Sequence, residues 1–226
     1  MRSTRVEQVM GMPVSVLVRG PLPHTAVDRV YAELHEVDAR FSPYRLDSEV
    51  CRLRRGEVPR PSDDLREVAA LCELARTQTG GVFDARRPDG WWDPTGLVKG
   101  WAVERAARHL RATGLDFCLN AGGDVVVSAP SGEPFRVGVQ DPYDAGRVAR
   151  VLPVVSGGVA TSGLAARGAH LYDPRTGLPA TGPASTTVVG PSLQQADVLA
   201  TACFVSGSLA LLEGFPTYEG LEVALV

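Results

Sequence analysis

The strongest candidate for chemistry in this sequence is residues 169–179, where His170 stands three residues before Asp173 and Arg175 follows both. Proline fixes φ at one corner of this run, and Gly177 tolerates positive φ at the next, so the run predicts a tight, ordered turn. Such a turn would hold an imidazole, a carboxylate and a guanidinium on one face. The same residue types are common in hairpins whose polar groups satisfy only their own backbone. The spacing alone leaves both interpretations open.

A second candidate pair lies nearer the C-terminus, where Asp197 and Thr201 are four residues apart in a predicted helix over residues 194–206. Residues at this spacing share a helix face, and the rest of the helix is apolar on most sides. A carboxylate and a hydroxyl are costly to bury there unless something satisfies them. A hard cation such as Mg²⁺ would do so. An arginine partner for Asp197 and a bond from Thr201 to a helix carbonyl would also suffice.

Two glycine-containing segments are candidates for binding an anion. Gly122 and Gly123 lie in a turn between two predicted strands, where a ligand can approach backbone amides closely, although a plain turn explains them equally well. The G-x-G-x-x-G pattern and its following helix are absent, which excludes a Rossmann site.

The second segment, residues 93–100, opens a predicted helix and carries Lys99 in its first turns. Free N–H groups and an ammonium suit an anion there, and an ordinary cap by Asp93 or Thr95 is the alternative. Thr161 and Ser162 end another predicted strand beside a glycine and indicate little by themselves.

The first half of the chain is predicted to be mainly helical. Apolar spacing predicts a helix over 26–40 capped by Thr25, a short helix capped by Asp47 or Ser48, and a helix that starts at Ser62 and ends at residues 80–81. A brief strand over 82–84 and a third long helix from residue 94 to about residue 113 follow.

The second half is predicted to be mainly strands, over residues 117–119, 125–127, 135–139, 148–155, 159–162, 186–190 and 221–226. Helices first and strands later predict an α+β fold with a curved, largely antiparallel sheet and packed helices. At 226 residues, we expect one domain over residues 1–226.

Composition excludes several classes of function. A formal net charge of −3 argues against broad nucleic-acid binding, and no apolar run is long enough for a membrane span. The N-terminus lacks the apolar run of a secretory signal, so we expect a cytoplasmic location. The four cysteines are scattered without C-x-x-C spacing and are expected to be buried free thiols. The sequence predicts no oligomeric state.

Taken together, these segments resemble the ApbE-like FAD:protein FMN transferases in order and spacing over nearly the whole chain. The matching pieces are residues 10–11, 41–44, 47–49, 80–84, 93–100, 120–124, 137–142, 160–163, 170–179 and 196–202. The last two are the most specific.

The resemblance implies a single domain with an FAD site between two lobes. The family splits FAD and transfers its FMN half to a Ser or Thr of an acceptor flavoprotein as a phosphoester, releasing AMP. It implies that Gly96, Asp197 and Thr201 hold Mg²⁺ and that His170 is the base. The implied FAD-binding residues are Met10, Tyr44, Val82, Phe83, Asp84, Asp93, Lys99, Gly122, Gly123, Thr161, Ser162 and Leu171.

Two departures from the family pattern stand out. Met12 occupies a position where the family usually has threonine, and the segment over residues 85–92 is much shorter than usual. The shortening predicts a more open FAD pocket. Trp91 and Trp92 in that segment either stack on a ring of FAD or cover the core.

Other functions remain open on the sequence alone. The same site with water as acceptor would be an FAD pyrophosphatase giving FMN and AMP. A flavin-binding protein without turnover would keep the fold and lose the chemistry. His170, Asp197 and Thr201 favour the enzyme.

Overall fold

The computed structural model of the protein describes residues 1–163 and 172–223, so His170 and Leu171 lie outside the described residues. Its helices are α1 (His24–Phe41), α2 (Glu49–Arg54), α3 (Asp63–Gln78), α4 (Thr95–Arg111), α5 (Leu193–Ser206) and a 3-10 helix (Leu209–Gly214). Its strands are β1 (Arg2–Val9), β2 (Met12–Arg19), β3 (Phe117–Ala121), β4 (Asp124–Ser128), β5 (Phe135–Gln140), β6 (Val148–Val154), β7 (Ser156–Gly163), β8 (Ser185–Gly190) and β9 (Glu219–Val223).

The strands form one large sheet and one small ribbon. Seven strands pair in the order β1-β2-β3-β4-β7-β8-β9, and every pairing is antiparallel. Strands β5 and β6 form a separate antiparallel pair. The main core joins this sheet to α1, α4 and α5, whereas a smaller apolar cluster that includes Val127, Phe135 and Val154 joins it to the β5–β6 ribbon. The α+β class with a largely antiparallel sheet is therefore confirmed.

Helices α4 and α5 pack closely because glycine removes a side chain at the crossing. A Cβ at Gly100 would lie only 2.9 Å from the Cβ of Asp197. Apart from Asp197, α5 buries an apolar surface that includes Leu199 and Phe204. The close approach brings the one carboxylate of α5 against the backbone of α4.

The cap predicted at Ser48 and the helix start predicted at Ser62 are confirmed, and the cap predicted for α1 is wrong. The Ser48 hydroxyl accepts from the amide of Cys51, and the Ser62 hydroxyl accepts from the amide of Leu65. Helix α1 starts earlier than predicted, with Pro23 in the N-cap position and no side-chain cap. Thr25 therefore lies inside its first turn. Proline supplies a suitable φ at a helix start and needs no hydrogen bond there.

The predicted strand over 82–84 is wrong, and β1 was not predicted. Gly80 and Gly81 both have positive φ, and the amide of Phe83 donates to the Thr79 hydroxyl, so the chain folds back on the end of α3. Strand β1 is an edge strand with few buried side chains, and its polar sequence hides the alternation that marks half-buried strands. The C-terminal strand is confirmed only to Val223.

The expected thiols are also present. The four cysteines are free, and three of them are buried. Burial raises the pKa of Cys72 to about 12 and those of Cys118 and Cys203 to about 11. None of the helices in the described ranges combines the length and apolar character needed to cross a membrane.

Candidate functional site

The site centres on one lysine shared by two buried carboxylates. Lys99 in the second turn of α4 places its Nζ 2.5 Å from Oδ2 of Asp124 and 3.6 Å from Oδ1 of Asp197. The other oxygen of Asp197 accepts from the amide of Gly100 at 3.1 Å. The two carboxylates are only 1% and 4% exposed, respectively. This cluster joins α4, α5 and the start of β4.

A row of hydroxyl groups extends the cluster onto β7 and β8. The Ser162 and Thr201 hydroxyl oxygens are 3.1 Å apart, and those of Thr161 and Thr187 are 2.9 Å apart. The amide of Thr161 donates to Oδ1 of Asp124 at 3.1 Å. The structure therefore brings predicted residues on three different elements to one place.

The glycine positions lie around the same cluster. Gly96 is four residues before Gly100 on α4, so it lies one helical turn from the amide that binds Asp197. The Phe83 ring packs against it, since a Cβ at Gly96 would lie 3.3 Å from that ring. Gly122 and Gly123 form the turn before Asp124, both with positive φ.

Met10 and Met12 belong to the neighbouring β1–β2 turn. Met10 has a positive φ of 55°, which is uncommon for a side chain other than glycine. The amide of Gly122 donates to the carbonyl of Pro13, and the Met12 sulfur lies 2.8 Å from where a Cβ at Gly122 would stand. Met12 therefore packs directly on the glycine turn.

The shortened segment is an ordered hairpin that ends at α4. Asp93 donates its amide to the carbonyl of Ala85 at 2.7 Å and accepts from the amide of Thr95 at 3.1 Å. This carboxylate thus supports the turn that enters α4, but the N-cap residue is Pro94 without a side-chain cap hydrogen bond, so the predicted cap by Asp93 or Thr95 is wrong. Val82 is buried below the hairpin, and Asp84 accepts from the amide of Arg86.

The two tryptophans of the hairpin have different environments. Trp92 packs against the main core, so the covering interpretation is confirmed for it. Trp91 is 44% exposed, and the Arg54 guanidinium lies 5.5 Å from the centre of its ring. Its predicted role in stacking on a ligand stays a prediction.

Some predicted residues lie apart from the cluster or outside the described chain. Tyr44 is 92% exposed on the loop before α2, where its amide donates to the Ser42 hydroxyl. Arg175 donates to both oxygens of Asp173, which lowers the pKa of that carboxyl. This pair forms the predicted tight turn, and both side chains satisfy each other there. His170 and Leu171 fall in the undescribed segment just before it.

Burial dominates the electrostatics of the cluster. Desolvation raises the pKa of Asp197 above its ordinary value, the nearby Asp124 adds to the rise, and Lys99 opposes it. A buried carboxylate in this state is incompletely compensated by one shared ammonium and one amide.

The donor set fits a hard divalent cation. A carboxylate, a hydroxyl and a backbone carbonyl are oxygen ligands of the kind that Mg²⁺ takes, with its remaining positions left to waters and substrate phosphates. No group of three or more His, Cys, Asp or Glu side chains suited to a metal occurs within residues 1–163 and 172–223.

Two residues of the cluster had no assigned role in the sequence analysis. Asp124 belongs to the matching segment over residues 120–124, and Thr187 belongs to the predicted strand over residues 186–190. The available signal for Asp124 was its place at the first position of a strand that is otherwise apolar, where a charged side chain needs a partner.

The structure is an α+β fold in which a helix-bound lysine and two buried aspartates meet a row of hydroxyls. The chain belongs to the ApbE family, whose model matches residues 10–87 and 86–224. It is 31% identical over 201 residues to the FAD:protein FMN transferase of Treponema pallidum (strain Nichols), covering 75% of this chain and 55% of that protein. It is 34% identical over 165 residues to the FAD:protein FMN transferase of Rhodobacter capsulatus, covering 65% and 32%. The chain thus spans about half or less of the length of these curated relatives.

Solved structures agree on the fold. The ApbE protein of Thermotoga maritima superposes with a TM-score of 0.85 at 21% identity, covering 99% of this chain and 94% of that one. The flavin transferase ApbE of Vibrio cholerae superposes with a TM-score of 0.84 at 21% identity, covering 100% and 94%.

Proposed function

We propose that this protein is an FAD:protein FMN transferase that attaches FMN to a Ser or Thr hydroxyl of an acceptor protein and releases AMP. The observation that carries the proposal is the buried cluster of Lys99, Asp124 and Asp197, bordered by the Ser162 and Thr201 hydroxyls. Membership of a family whose curated relatives bear this name supports the same function.

The cluster would bind the pyrophosphate of FAD. The Lys99 ammonium supplies a positive charge, and the Gly122–Gly123 turn exposes backbone near it. Asp197, Thr201 and the Gly96 carbonyl would hold Mg²⁺, which when bound neutralises charge on the phosphates. The rest of FAD would contact the other residues that the resemblance implies. These are Met10, Tyr44, the buried pair Val82 and Phe83, Asp84, Asp93 and Leu171.

The reaction forms one P–O bond and breaks another. The acceptor hydroxyl oxygen attacks the phosphorus on the flavin side of the pyrophosphate, and AMP leaves with the bridging oxygen. His170 takes the hydroxyl proton, since a neutral imidazole is a suitable base near pH 7. The protein's contribution is to position these groups and to stabilise the developing charge, as in other phosphoryl transfers.

Mass spectrometry of an acceptor domain tests the proposal. The domain contains a flavinylated Thr in its source protein and is incubated with this protein, FAD and Mg²⁺ while AMP is followed. An FMN adduct together with AMP supports the transferase. AMP with no adduct on several acceptors favours the FAD pyrophosphatase, and neither product favours a flavin-binding protein without turnover.

The acceptor and the cellular location are part of the same proposal. We expect a cytoplasmic acceptor, and this location stays a prediction. Searching a lysate of the source cell for FMN-modified peptides, with and without the gene for this protein, checks it.

A further inference from the structure

The two aspartates of the cluster are compensated to different degrees. Asp124 has Lys99 at 2.5 Å from one oxygen and the Thr161 amide at 3.1 Å from the other. Asp197 has the Gly100 amide at 3.1 Å, and its second oxygen is 3.6 Å from the same ammonium. One cation therefore serves two negative charges, and it lies closer to Asp124.

Asp124 needs the Lys99 ammonium as its charged partner. Its side chain is only 2% exposed, so water does not replace a lost partner there. A buried carboxylate without a paired charge is strongly destabilising. The Thr161 amide fixes the carboxylate on the sheet, whereas lysine is a compact charge on a flexible stem that can turn between two partners.

We propose that Asp124 is a positioning residue that retains the Lys99 ammonium and thereby leaves Asp197 available for a divalent cation. The proposal rests on the proposed function, because it takes Asp197 as a ligand of that cation. In this arrangement Lys99 also keeps a fixed place from which it faces the phosphates of the ligand.

Loss of the Asp124 charge would change the partner of the Lys99 ammonium. With a neutral side chain at position 124, Asp197 is the remaining aspartate of the pair. Its Oδ1 is 3.6 Å from the Lys99 Nζ. The ammonium would then pair with Asp197 and compete with the divalent cation for it.

Binding of Mn²⁺ alone, followed by electron paramagnetic resonance, tests the proposal without any turnover. Asp124→Asn is expected to weaken Mn²⁺ binding by about 10- to 100-fold, the range typical for partners that orient metal ligands. Adding Lys99→Met to Asp124→Asn removes the competitor and is expected to restore the Kd to within about threefold of wild type. Lys99→Met alone is expected not to weaken binding.

Asp116→Asn is the matched control, because Asp116 is a buried, ion-paired aspartate at the opposite end of the same hairpin. It is expected to leave the Mn²⁺ affinity unchanged. An unchanged affinity in Asp124→Asn overturns the proposal. So does a double variant as weak as Asp124→Asn, since that result makes Asp124 a direct ligand or a purely structural residue.

A double-mutant cycle separates this inference from the proposed function. It compares the thermal unfolding of wild type, Asp124→Asn, Lys99→Met and the double variant without metal. If wild type does not bind Mn²⁺, the metal site of the proposed function fails. The cycle still reports whether Lys99 and Asp124 are coupled. A coupling that vanishes there overturns the pairing itself, even where Asp124→Asn folds poorly and its Mn²⁺ titration is incomplete.

Discussion

The two ends of the β3–β4 hairpin each bury an aspartate, and the two ends satisfy it with different chemistry. Asp116 precedes β3 at one end, and Asp124 starts β4 at the other. An arginine serves the first and a lysine serves the second. The comparison distinguishes a charge that holds the fold together from one that is arranged to bind.

At the Asp116 end every partner is fixed. Arg19 donates to Asp116 at 3.0 Å and to the carbonyl of Pro134 at 2.8 Å, and its guanidinium lies 4.0 Å from the centre of the Phe135 ring. The amide and hydroxyl of Ser131 donate to the same carboxylate. A planar guanidinium with this many partners has one arrangement only.

At the Asp124 end the cation is shared and the anions outnumber it. Lys99 lies between Asp124 and Asp197, and the hydroxyls of Ser162 and Thr201 are next to α5 in the same region. Such a cluster gains from a further cation or from a phosphorylated ligand that brings one. We propose that the degree of compensation, and not burial alone, marks the Asp124 end as the functional end.

The largest expected effect compares Asp197→Asn with Asp116→Asn. Asp197→Asn is expected to lower the rate of FMN transfer by at least about 100-fold, because a lost metal ligand removes several kcal/mol of charge stabilisation. Asp116→Asn is expected to keep the rate within about threefold and to lower the free energy of unfolding by about 1–3 kcal/mol. Adduct formation by mass spectrometry and urea unfolding measure the two quantities.

Equal losses of activity in both variants would contradict the distinction between the two ends.

The same assay applied to His170→Ala asks whether the proposed base is needed as much as the proposed metal ligand. Transfer is expected to fall by about 100- to 10,000-fold, the range for a general base, with FAD affinity retained.

The sequence predicted which helices carry the polar residues of the cluster. Asp197 and Thr201 stand out because they are polar residues at helical spacing on an apolar helix, and Lys99 stands out because it lies in the first turns of a helix near free N–H groups. The structure brings them together with Ser162, which was also predicted. The α+β class followed from the order of helices and strands, which local spacing records.

The strand side was harder to predict because it depends on pairing between distant segments. Asp124 meets Lys99 only where α4 packs against the start of β4, and no local pattern in the sequence reports that contact. The Asp116 end was missed for the same reason, since Arg19 is 97 residues away in sequence. Edge strand β1 was missed because its sequence is mainly polar.

Exchanging the two cations, Arg19 and Lys99, tests whether each end of the hairpin depends on its own kind of cation. Arg19→Lys is expected to cost about 1–2 kcal/mol of unfolding free energy, because lysine cannot reproduce the planar set of hydrogen bonds, and to leave transfer unchanged. Lys99→Arg is expected to lower transfer about tenfold, because a larger, planar cation must fit where a compact one is shared. Urea unfolding and adduct kinetics on both variants check this, and a stability loss confined to Lys99→Arg would contradict it.

A further contrast is expected in the turns at the two ends. Gly122→Ala at the functional end meets both a φ of +59° and the Met12 sulfur 2.8 Å away, whereas Gly132→Ala at the other end meets a φ of +81° and nothing within 4 Å. We expect a loss of about 2–3 kcal/mol for Gly122→Ala and about 1 kcal/mol for Gly132→Ala. Adding Met12→Ala should recover part of the first loss and none of the second. Urea unfolding measures both losses of stability. Equal losses would mean that the Met12 side chain moves away from the added methyl group at little cost.

The smallest effect is a pH dependence at the Asp116 end. Hydrogen bonds from Ser131, opposed by a smaller desolvation effect, and the neighbouring Arg19 lower the pKa of Asp116. A carboxyl with a lowered folded-state pKa stabilises the fold above its unfolded pKa of about 4, and this contribution is lost as the pH falls through the folded pKa. The Tm difference between wild type and Asp116→Asn should therefore be largest near neutral pH and should shrink below about pH 4. Calorimetry across this range measures it, and a difference that stays constant to the lowest pH would show that the carboxylate charge contributes nothing at this end.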